Sequence, residues 1–263
     1  MKKLGIVIIT SDKFKDVWKP FYYFLEKYWA DCSYPIYHIS ESGRPVTSFP
    51  VLHIESKSAA TWTETLSEAL RKIPEEYILL LLSDYFLLRN VDSNKIEEYL
   101  NVLEHESAAF LRIFPSPGPH SPYKTYKDIG LIERKTPYSI STQATIWNKQ
   151  DLQSFISKFK DDSELEILGS LRSDEIEKDL LSVNVIDQTK PLEEQNYAFT
   201  YLCTGVVQGK WKRDAVKLCD RENIKLDLNC RKQQSALEAY YYCNYHKLPT
   251  LCRHLIFLLI RNR

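Results

Sequence analysis

One acidic residue follows an unbroken run of aliphatic residues in the first third of the chain. Residues 78–82 are all Ile or Leu, and Ser83 and Asp84 come directly after them. A short apolar run without polar alternation is typical of a strand buried on both faces of a sheet. Open α/β sheets bind ligands at the carboxyl ends of such strands. Asp84 is therefore predicted to hold a metal-bound diphosphate, and the alternative is that it only ends the strand or starts a turn.

The segments around this run alternate between strand and helix patterns. Apolar positions predict helices at 16–29, 61–73, 93–106, 149–160 and 172–181. Strands are predicted at 4–9, 34–39, 51–54 and 109–114, with two extended pieces within 133–147. Thr61 or Ser58 is expected to cap the second helix, and Ser93 the third. This alternation predicts an α/β fold with a mostly parallel central sheet, whose strands end on one common edge.

Composition excludes several classes of protein. The chain has 263 residues, 44% of them apolar, and its 35 basic residues balance 35 acidic ones. This balance gives no indication of nucleic-acid binding. The six cysteines form no zinc-ligand spacing, and the apolar run at the amino terminus is too short for a signal peptide. We expect a reduced, cytosolic chain with structural cysteines.

Five stretches resemble one protein family. They are WTETL at 62–66, SDYFL at 83–87, STQATIW at 141–147, ELEILGS at 164–170 and GVVQGKW at 205–211. In order and spacing they are similar to the small bacterial glycosyltransferases of GT-A-like fold from lipopolysaccharide and capsule gene clusters. The resemblance implies a single GT-A-like, Rossmann-type domain at 1–245 with a helical C-terminal part. Two departures are visible, because Ser83 and Glu164 stand where the family usually has an acid and a Trp.

The resemblance also implies a substrate and a cofactor. Such enzymes use a nucleotide-sugar donor, here expected to be a UDP-sugar. A divalent cation, Mn²⁺ or Mg²⁺, would lie at Asp84, because these ions prefer oxygen ligands and share them with phosphates. Tyr85 would assist through its hydroxyl or its ring. Because only Asp84 remains of the acid pair, the alternative is a non-catalytic sugar- or nucleotide-binding protein, or an assembly partner of other transferases.

Several further residues are candidates for the donor site. Thr10, Ser11 and Asp12 follow the first strand, where folds of this class receive the nucleotide. Asp12 would accept a hydrogen bond from the ribose or the base, and the alternative is a helix cap. Trp62 would stack on the base, although an aromatic residue on an amphipathic helix is more often part of the core.

Two basic residues complete the predicted donor set. Arg112 follows a predicted strand and would face the donor or a phosphate. Lys210 follows Gly209 and, together with Trp211, would close over the diphosphate.

The acceptor side is predicted from the third and fourth stretches. Glu166 is the candidate catalytic base, because a carboxylate within hydrogen-bond reach can take a proton from an acceptor hydroxyl. The alternative is an exposed Glu in the acidic segment 161–166, since a charge run is usually a solvated face. Ser141 and Gln143 would hydrogen-bond sugar hydroxyls. A direct base at Glu166 implies inversion of the anomeric centre.

The C-terminal segment 246–263 is apolar with basic flanks. Its apolar run is too short to span a bilayer, but Arg253, Arg261 and Arg263 are placed to face anionic lipid head groups. The alternative is a terminal helix that docks on the domain. We expect a transferase at the cytoplasmic face of the membrane with a lipid-linked glycan as acceptor. A nucleotidyltransferase is the third hypothesis, and the absence of a Gly-rich start argues against it.

Overall fold

A computed structural model describes residues 3–57 and 60–245 of the chain. The chain divides into two compact units, an N-terminal unit of residues 1–203 and a C-terminal unit of residues 204–263. The segment 246–263, for which a membrane-facing helix is predicted, lies outside the described residues. Within the described part, no helix is long and apolar enough to cross a membrane.

The N-terminal unit is built on one nine-stranded sheet. Its strands are β1 (Leu4–Ile9), β2 (Ile36–Ser40), β3 (Val51–Glu55), β4 (Tyr77–Leu82), β6 (Phe110–Arg112), β7 (Ser121–Tyr123), β8 (Tyr126–Leu131), β9 (Thr145–Asn148) and β10 (Leu180–Val183). A separate antiparallel pair is formed by β5 (Phe86–Leu87) and β11 (Tyr201–Leu202). The strand order is β3-β2-β1-β4-β9-β6-β10-β8-β7. Strands β8 and β9 run against the other seven, so the predicted α/β class with a mostly parallel sheet is confirmed.

Among the described residues, five α-helices accompany this sheet and two more belong to the C-terminal unit. They are α1 (Lys15–Tyr28), α2 (Trp62–Leu70), α3 (Ser93–Glu106), α4 (Lys149–Ile156), α5 (Asp162–Leu171), α6 (Arg213–Arg221) and α7 (Ala236–Tyr245). The C-terminal unit also contains the short antiparallel pair β12 (Val206–Val207) and β13 (Lys210–Trp211). Thr61 caps α2 as predicted, through a capping box with Glu64.

Several predicted elements are wrong in detail. Residues 172–181 do not form a helix, since only a 3₁₀ turn (Ser173–Glu175) lies there before β10 begins. The acidic segment 161–166 belongs to a helix that was not predicted, because α5 begins at Asp162 with Asp161 as its cap. The cap of α3 is Asp92, whose carboxylate accepts from the Lys95 amide. Of the extended pieces expected within 133–147, only the end that enters β9 is a strand.

The central strand is buried as its sequence predicts. Ile78 to Leu81 are at most 2% exposed, and β4 lies between β1 and β9. Side chains of β1, β4 and β9 pack with α2 and α4 in one apolar cluster. Complete burial of such an aliphatic side chain contributes roughly 1.5–3 kcal/mol. The polar residues at the end of β4 therefore follow a fully buried central strand.

A neutral histidine is buried where α1 covers β2. The His38 side chain is fully buried, and the Tyr22 hydroxyl lies 3.0 Å from its Nδ1. The Trp18 ring meets the imidazole edge-on at 4.6 Å between ring centres. The other ring nitrogen, Nε2, has no hydrogen-bond partner in the described part of the chain. Burial, assisted by the neighbouring His53, lowers the pKa of His38 to about 3, so the ring stays neutral in the folded protein.

We expect His38 to make folding sensitive to acid. In the unfolded chain its pKa returns to about 6.5, so the unfolded state binds the extra proton below that pH. The stability that neutral His38 contributes is complete above pH 6.5. It is lost as pH falls toward 3, by at most about 1.4 kcal/mol per pH unit. Urea unfolding from pH 7.5 to 4.5 should show a shallower loss of stability in His38→Gln than in the unchanged chain.

The exposed residue His105 provides the matched control for this experiment. Its side chain is 79% exposed, although its Nδ1 lies 3.2 Å from Glu106 Oε1, so His105→Gln should change the pH dependence much less than His38→Gln does. If His38→Gln loses stability with acid as steeply as the unchanged chain does, the histidine is not the source of the sensitivity.

Candidate functional site

One edge of the sheet collects most of the predicted site residues. Thr10 follows β1, Ser83 and Asp84 follow β4, and Arg112 ends β6. Because β9 is antiparallel to both β4 and β6, the segment before it reaches the same edge. That segment is 141–144, which contains Ser141 and Gln143. The carboxyl edge of the parallel strands is thus the candidate site.

The ends of β1 and β4 are joined by two hydroxyl groups. Thr10 Oγ1 lies 2.8 Å from Ser83 Oγ and accepts a hydrogen bond of 2.9 Å from the indole nitrogen of Trp18. Ser83 is 5% exposed. The Ser83 hydroxyl is therefore bonded to the protein itself, and Asp84 is the carboxylate that this strand end provides.

Asp84 is held between two anchored neighbours. Asp84 is 8% exposed, and Ser83 before it is bonded to Thr10. Tyr85 after it is buried and donates its hydroxyl hydrogen bond to the carbonyl of Thr142 at 3.0 Å. The Tyr85 ring stacks on Tyr201 at 4.6 Å between ring centres. Burial raises the pKa of Tyr85, so this hydroxyl stays protonated and structural, and any contact of Tyr85 with a donor remains a prediction.

The Gln143 amide is oriented by the protein. Its Oε1 accepts from the Tyr201 hydroxyl at 2.6 Å and from the Cys203 thiol at 3.4 Å. Its Nε2 donates to the Tyr85 hydroxyl at 3.4 Å and has a second N–H, which is the remaining hydrogen-bonding capacity of the amide. Nearby in sequence, Ser141 Oγ is buried without a partner in the described part of the chain. A buried hydroxyl without a partner is costly, and contact of Ser141 with a sugar remains a prediction.

Glu166 is placed at this edge by α5. Its Oε1 accepts two hydrogen bonds of 2.8 Å from Thr142, one from the amide and one from the hydroxyl. Burial raises the pKa of Glu166 above its ordinary value, and the bonds from Thr142 oppose that shift. A carboxylate with a raised pKa is a better proton acceptor near neutral pH than an exposed one. The role of Glu166 as catalytic base remains a prediction.

A second carboxylate was missed by the sequence reasoning. Asp162 lies one helical turn before Glu166 on α5. Burial raises its pKa as well, and its charge contributes to the raised pKa of Glu166. The i and i+4 spacing was visible in the sequence, but it places both acids on one face only if the segment is a helix.

Arg112 is bound by backbone carbonyl groups. Its Nη1 donates to Pro117 at 2.7 Å, and its Nη2 donates to Tyr138 at 2.8 Å and Ser139 at 3.1 Å. Burial lowers its pKa to about 10, against the opposing influence of Tyr201 and Glu166, so it remains charged at neutral pH. The guanidinium secures two loops at the site edge, and contact with the donor remains a prediction.

Asp12 connects the loops that follow β1 and β2. Its carboxylate accepts from the Gly43 amide at 3.0 Å and the Ser42 hydroxyl at 2.9 Å, and it pairs with Lys15 at 2.9 Å. These partners lower the pKa of Asp12 although burial opposes the shift. A Cβ at position 43 would lie 2.7 Å from the Trp18 ring, so a larger residue there would have to displace that ring.

The remaining predicted donor residues lie in different places. Ser11 is half-buried beside Asp12, and its carbonyl accepts from the Phe14 amide at 2.8 Å. Trp62 begins α2 and packs against the core cluster. Lys210 belongs to β13 in the C-terminal unit and pairs there with Glu238. Trp211 beside it is fully buried within the same unit.

Metal binding by protein groups alone is not supported at this edge. Within the described ranges, no group of three or more His, Cys, Asp or Glu side chains could hold an ion. The Ser83 hydroxyl is bonded to Thr10, so Asp84 alone offers oxygen ligands at this strand end, of the kind that Mg²⁺ and Mn²⁺ share with phosphates. Metal binding at Asp84 remains a prediction.

Comparison with known proteins gives matches among solved structures only. No family model matches the chain, and no curated protein matches it. A structure of residues 1–349 of TarS from S. aureus matches with a TM-score of 0.44 and 13% identity, over 78% of this chain and 61% of that one. The chain therefore spans less than two thirds of that TarS structure.

Two other matches cover more of the matched protein. A CMP:2-keto-3-deoxy-manno-octonic acid synthetase complexed with CTP has a TM-score of 0.46 and 14% identity, over 70% of this chain and 90% of that one. A cytidylyltransferase from Leptospira borgpetersenii has a TM-score of 0.48 and 11% identity, over 89% and 99% of the two chains. These matches concern the arrangement of strands and helices, and the chemistry rests on this chain's own residues.

Proposed function

We propose that the chain is a nucleotide-sugar-dependent glycosyltransferase that extends a lipid-linked surface glycan. The observation that supports this proposal is one chain of bonded residues at the sheet edge. Asp84 adjoins Tyr85, whose hydroxyl bonds to Thr142, and Thr142 in turn bonds twice to Glu166. A strand-end acid for the diphosphate side and a carboxylate of raised pKa for the acceptor side are thus fixed in one framework.

The two acids have complementary tasks in such a transfer. The bond between sugar and diphosphate breaks through an oxocarbenium-like transition state, and the acceptor hydroxyl must lose its proton. Glu166 takes that proton, and Thr142 keeps its carboxylate oriented toward the edge. Gln143 and Ser141 bind sugar hydroxyls through the amide nitrogen and the buried hydroxyl that have capacity left. A direct base of this kind inverts the anomeric centre.

The donor is proposed to bind across the ends of β1 and β4. Thr10, Ser11 and Asp12 contact the nucleoside, and the diphosphate lies toward Asp84. Asp84 would hold Mn²⁺ or Mg²⁺ together with the phosphate oxygens. When bound, this ion supplies positive charge that stabilises the leaving diphosphate. A UDP-sugar is proposed as donor on the family resemblance.

We expect nucleotide sugars to stabilise the protein against heat. A ligand present at one hundred times its dissociation constant adds about 2.7 kcal/mol to the free energy of unfolding. This raises the melting temperature by several degrees. UDP-, GDP-, CMP- and dTDP-sugars should be compared with and without Mn²⁺. One nucleotide should give a selective rise, and Asp84→Ala should abolish it. The matched control Asp174→Ala removes an exposed acid that pairs with Lys135 and should keep the rise. Absence of any rise would contradict a donor site.

We expect Glu166→Gln to lower kcat by roughly 10²–10⁴-fold, because general bases contribute effects of that size. Donor-induced stabilisation should persist, since the substitution does not touch Asp84. The acidic limb of the pH–rate profile should disappear, because the rate otherwise falls as pH drops through the raised pKa of Glu166. Glu133→Gln, at an exposed position, is the control. Unchanged kcat in Glu166→Gln would exclude the base role.

The reaction products separate the competing hypotheses. A glycosyltransferase releases a nucleoside diphosphate, whereas a nucleotidyltransferase that makes the activated sugar releases pyrophosphate. Donor binding without any turnover would identify the non-catalytic binding protein or assembly partner. Retained anomeric configuration in the product would exclude direct displacement with Glu166 as base.

Charge is distributed unevenly between the two units. Residues 204–263 contain 12 Lys and Arg against 5 Asp and Glu, whereas residues 1–203 contain 23 against 30. Charge asymmetry of this kind favours contact with an anionic surface. We propose that the C-terminal unit contacts the anionic lipids of the cytoplasmic face, where a lipid-linked acceptor would be presented.

We expect the protein to sediment with vesicles that contain anionic lipid and to be released by salt. The triple variant Arg253→Gln, Arg261→Gln and Arg263→Gln should weaken binding on the order of 100-fold, since each basic residue contributes about 1 kcal/mol. Its control removes the same charge from the N-terminal unit, at the exposed residues Lys19, Lys72 and Lys127. Equal binding to neutral and anionic vesicles would contradict the proposal.

A further inference from the structure

A polar cavity lies in the N-terminal unit apart from the candidate site. Its volume is about 260 Å³, and its polar lining consists of Asn90, Asp92, Lys95, Asp128, Asn184 and Asn196. These residues come from the segment after β5, the first turn of α3, β8, the end of β10 and the segment before β11. None of the residues predicted for donor, acceptor or catalysis lines it.

The charges of this cavity disfavour an anionic ligand. Lys95 is the cation among its described lining residues, and its Nζ lies 2.7 Å from both Asp128 Oδ2 and Glu98 Oε2. These two carboxylates raise the pKa of Lys95 against the effect of burial, and they neutralise its charge. Asp92 adds a further negative charge to the lining. A phosphate or a carboxylate would therefore meet repulsion there.

Side-chain amides provide the hydrogen-bonding capacity of the cavity. Asn184 donates from Nδ2 to the Lys127 carbonyl at 3.0 Å, so its Oδ1 remains to accept. Asn90 and Asn196 are exposed and make no side-chain hydrogen bond to another described residue. An amide both donates and accepts, and it thus matches a hydroxyl group, which does the same.

An apolar surface accompanies these amides. Val183, Ala198 and Ile186 line the same cavity, and Ile186, at 63% exposed, provides most of this apolar surface because Val183 and Ala198 are buried. A ligand with hydroxyl groups on its rim and C–H groups on its face meets both kinds of surface. Among common biological molecules, a neutral pyranose sugar has this arrangement.

We propose that this cavity binds one neutral sugar residue. Pockets for drug-sized ligands start at roughly 300 Å³, so a cavity of 260 Å³ suits a single pyranose unit and not a nucleotide sugar. The proposal uses neither Asp84 nor Glu166, so it stands independently of the proposed transferase reaction. In a glycan-extending enzyme, such a site would hold a sugar of the acceptor chain away from the reacting end.

Saturation-transfer NMR on the full chain tests this proposal. The probes are free glucose, galactose, mannose, rhamnose and N-acetylglucosamine, with glucuronic acid as the anionic counterpart. At least one neutral sugar should give a signal, and glucuronic acid should give none. Asn90→Ala and Asn196→Ala should each weaken binding about fivefold, the effect of one lost hydrogen bond. Asn101→Ala, which removes an exposed amide from α3 outside the cavity, should leave binding unchanged.

Three results would overturn the proposal. They are no signal from any neutral sugar, sugar binding that Asn90→Ala and Asn196→Ala do not affect, and displacement of the sugar by Ca²⁺, which would identify a cation site. The two Asn variants should keep the donor-induced rise in melting temperature. Loss of sugar binding in the Asn variants, with the donor-induced rise in melting temperature retained, is therefore specific to the cavity. The effect of Asp84→Ala on that rise tests the proposed transferase separately.

Discussion

The hydrogen bond from the Tyr85 hydroxyl to the Thr142 carbonyl is the contact on which the candidate site depends. It ties the end of β4 to the segment that enters β9, two parts of the chain separated by 57 residues. The same segment orients Glu166 through Thr142, and the Tyr85 ring is fixed by its stack on Tyr201. Because Tyr85 is buried, water does not compete for this bond. Asp84 and Glu166 thus belong to one rigid framework.

The reversed direction of β9 makes that framework possible. In a wholly parallel sheet, the residues before a strand lie at the opposite edge from those that follow its neighbours. Since β9 is antiparallel to β4 and β6, Thr142 and Gln143 lie at the edge that carries Asp84 and Arg112. Arg112 then stabilises the entry to β9 by donating to the carbonyls of Tyr138 and Ser139. The antiparallel direction of β9, one of the two reversed strands, therefore brings the polar groups of the site together.

The sequence predicts the parts of this arrangement that local patterns determine. The apolar run of β4 and the helical period of α3 are sufficient for their assignment, and the predicted α/β class follows from the alternation. The helix α5 is not predicted, because the acids at its start resemble a solvated charge run. Asp161 is nevertheless a good cap for a helix. The direction of β9 and the carbonyl partners of Arg112 depend on contacts between distant residues, which no single-chain pattern reveals. For the same reason, the sequence shows Asp84 and Glu166 as candidates but not the residues that connect them.

The single acid at the end of β4 has a consequence for how a donor and an ion would bind. Ser83 uses its hydroxyl on Thr10, so the strand end contributes one carboxylate where two would hold an ion unaided. On the proposed function, an ion at Asp84 needs phosphate oxygens to complete its ligands, and the diphosphate needs the ion to offset its charge. Each then raises the affinity of the other by the same factor, because such coupling is reciprocal. A chain with one strand-end acid is therefore expected to be nearly indifferent to the ion alone and responsive to it when the donor is present.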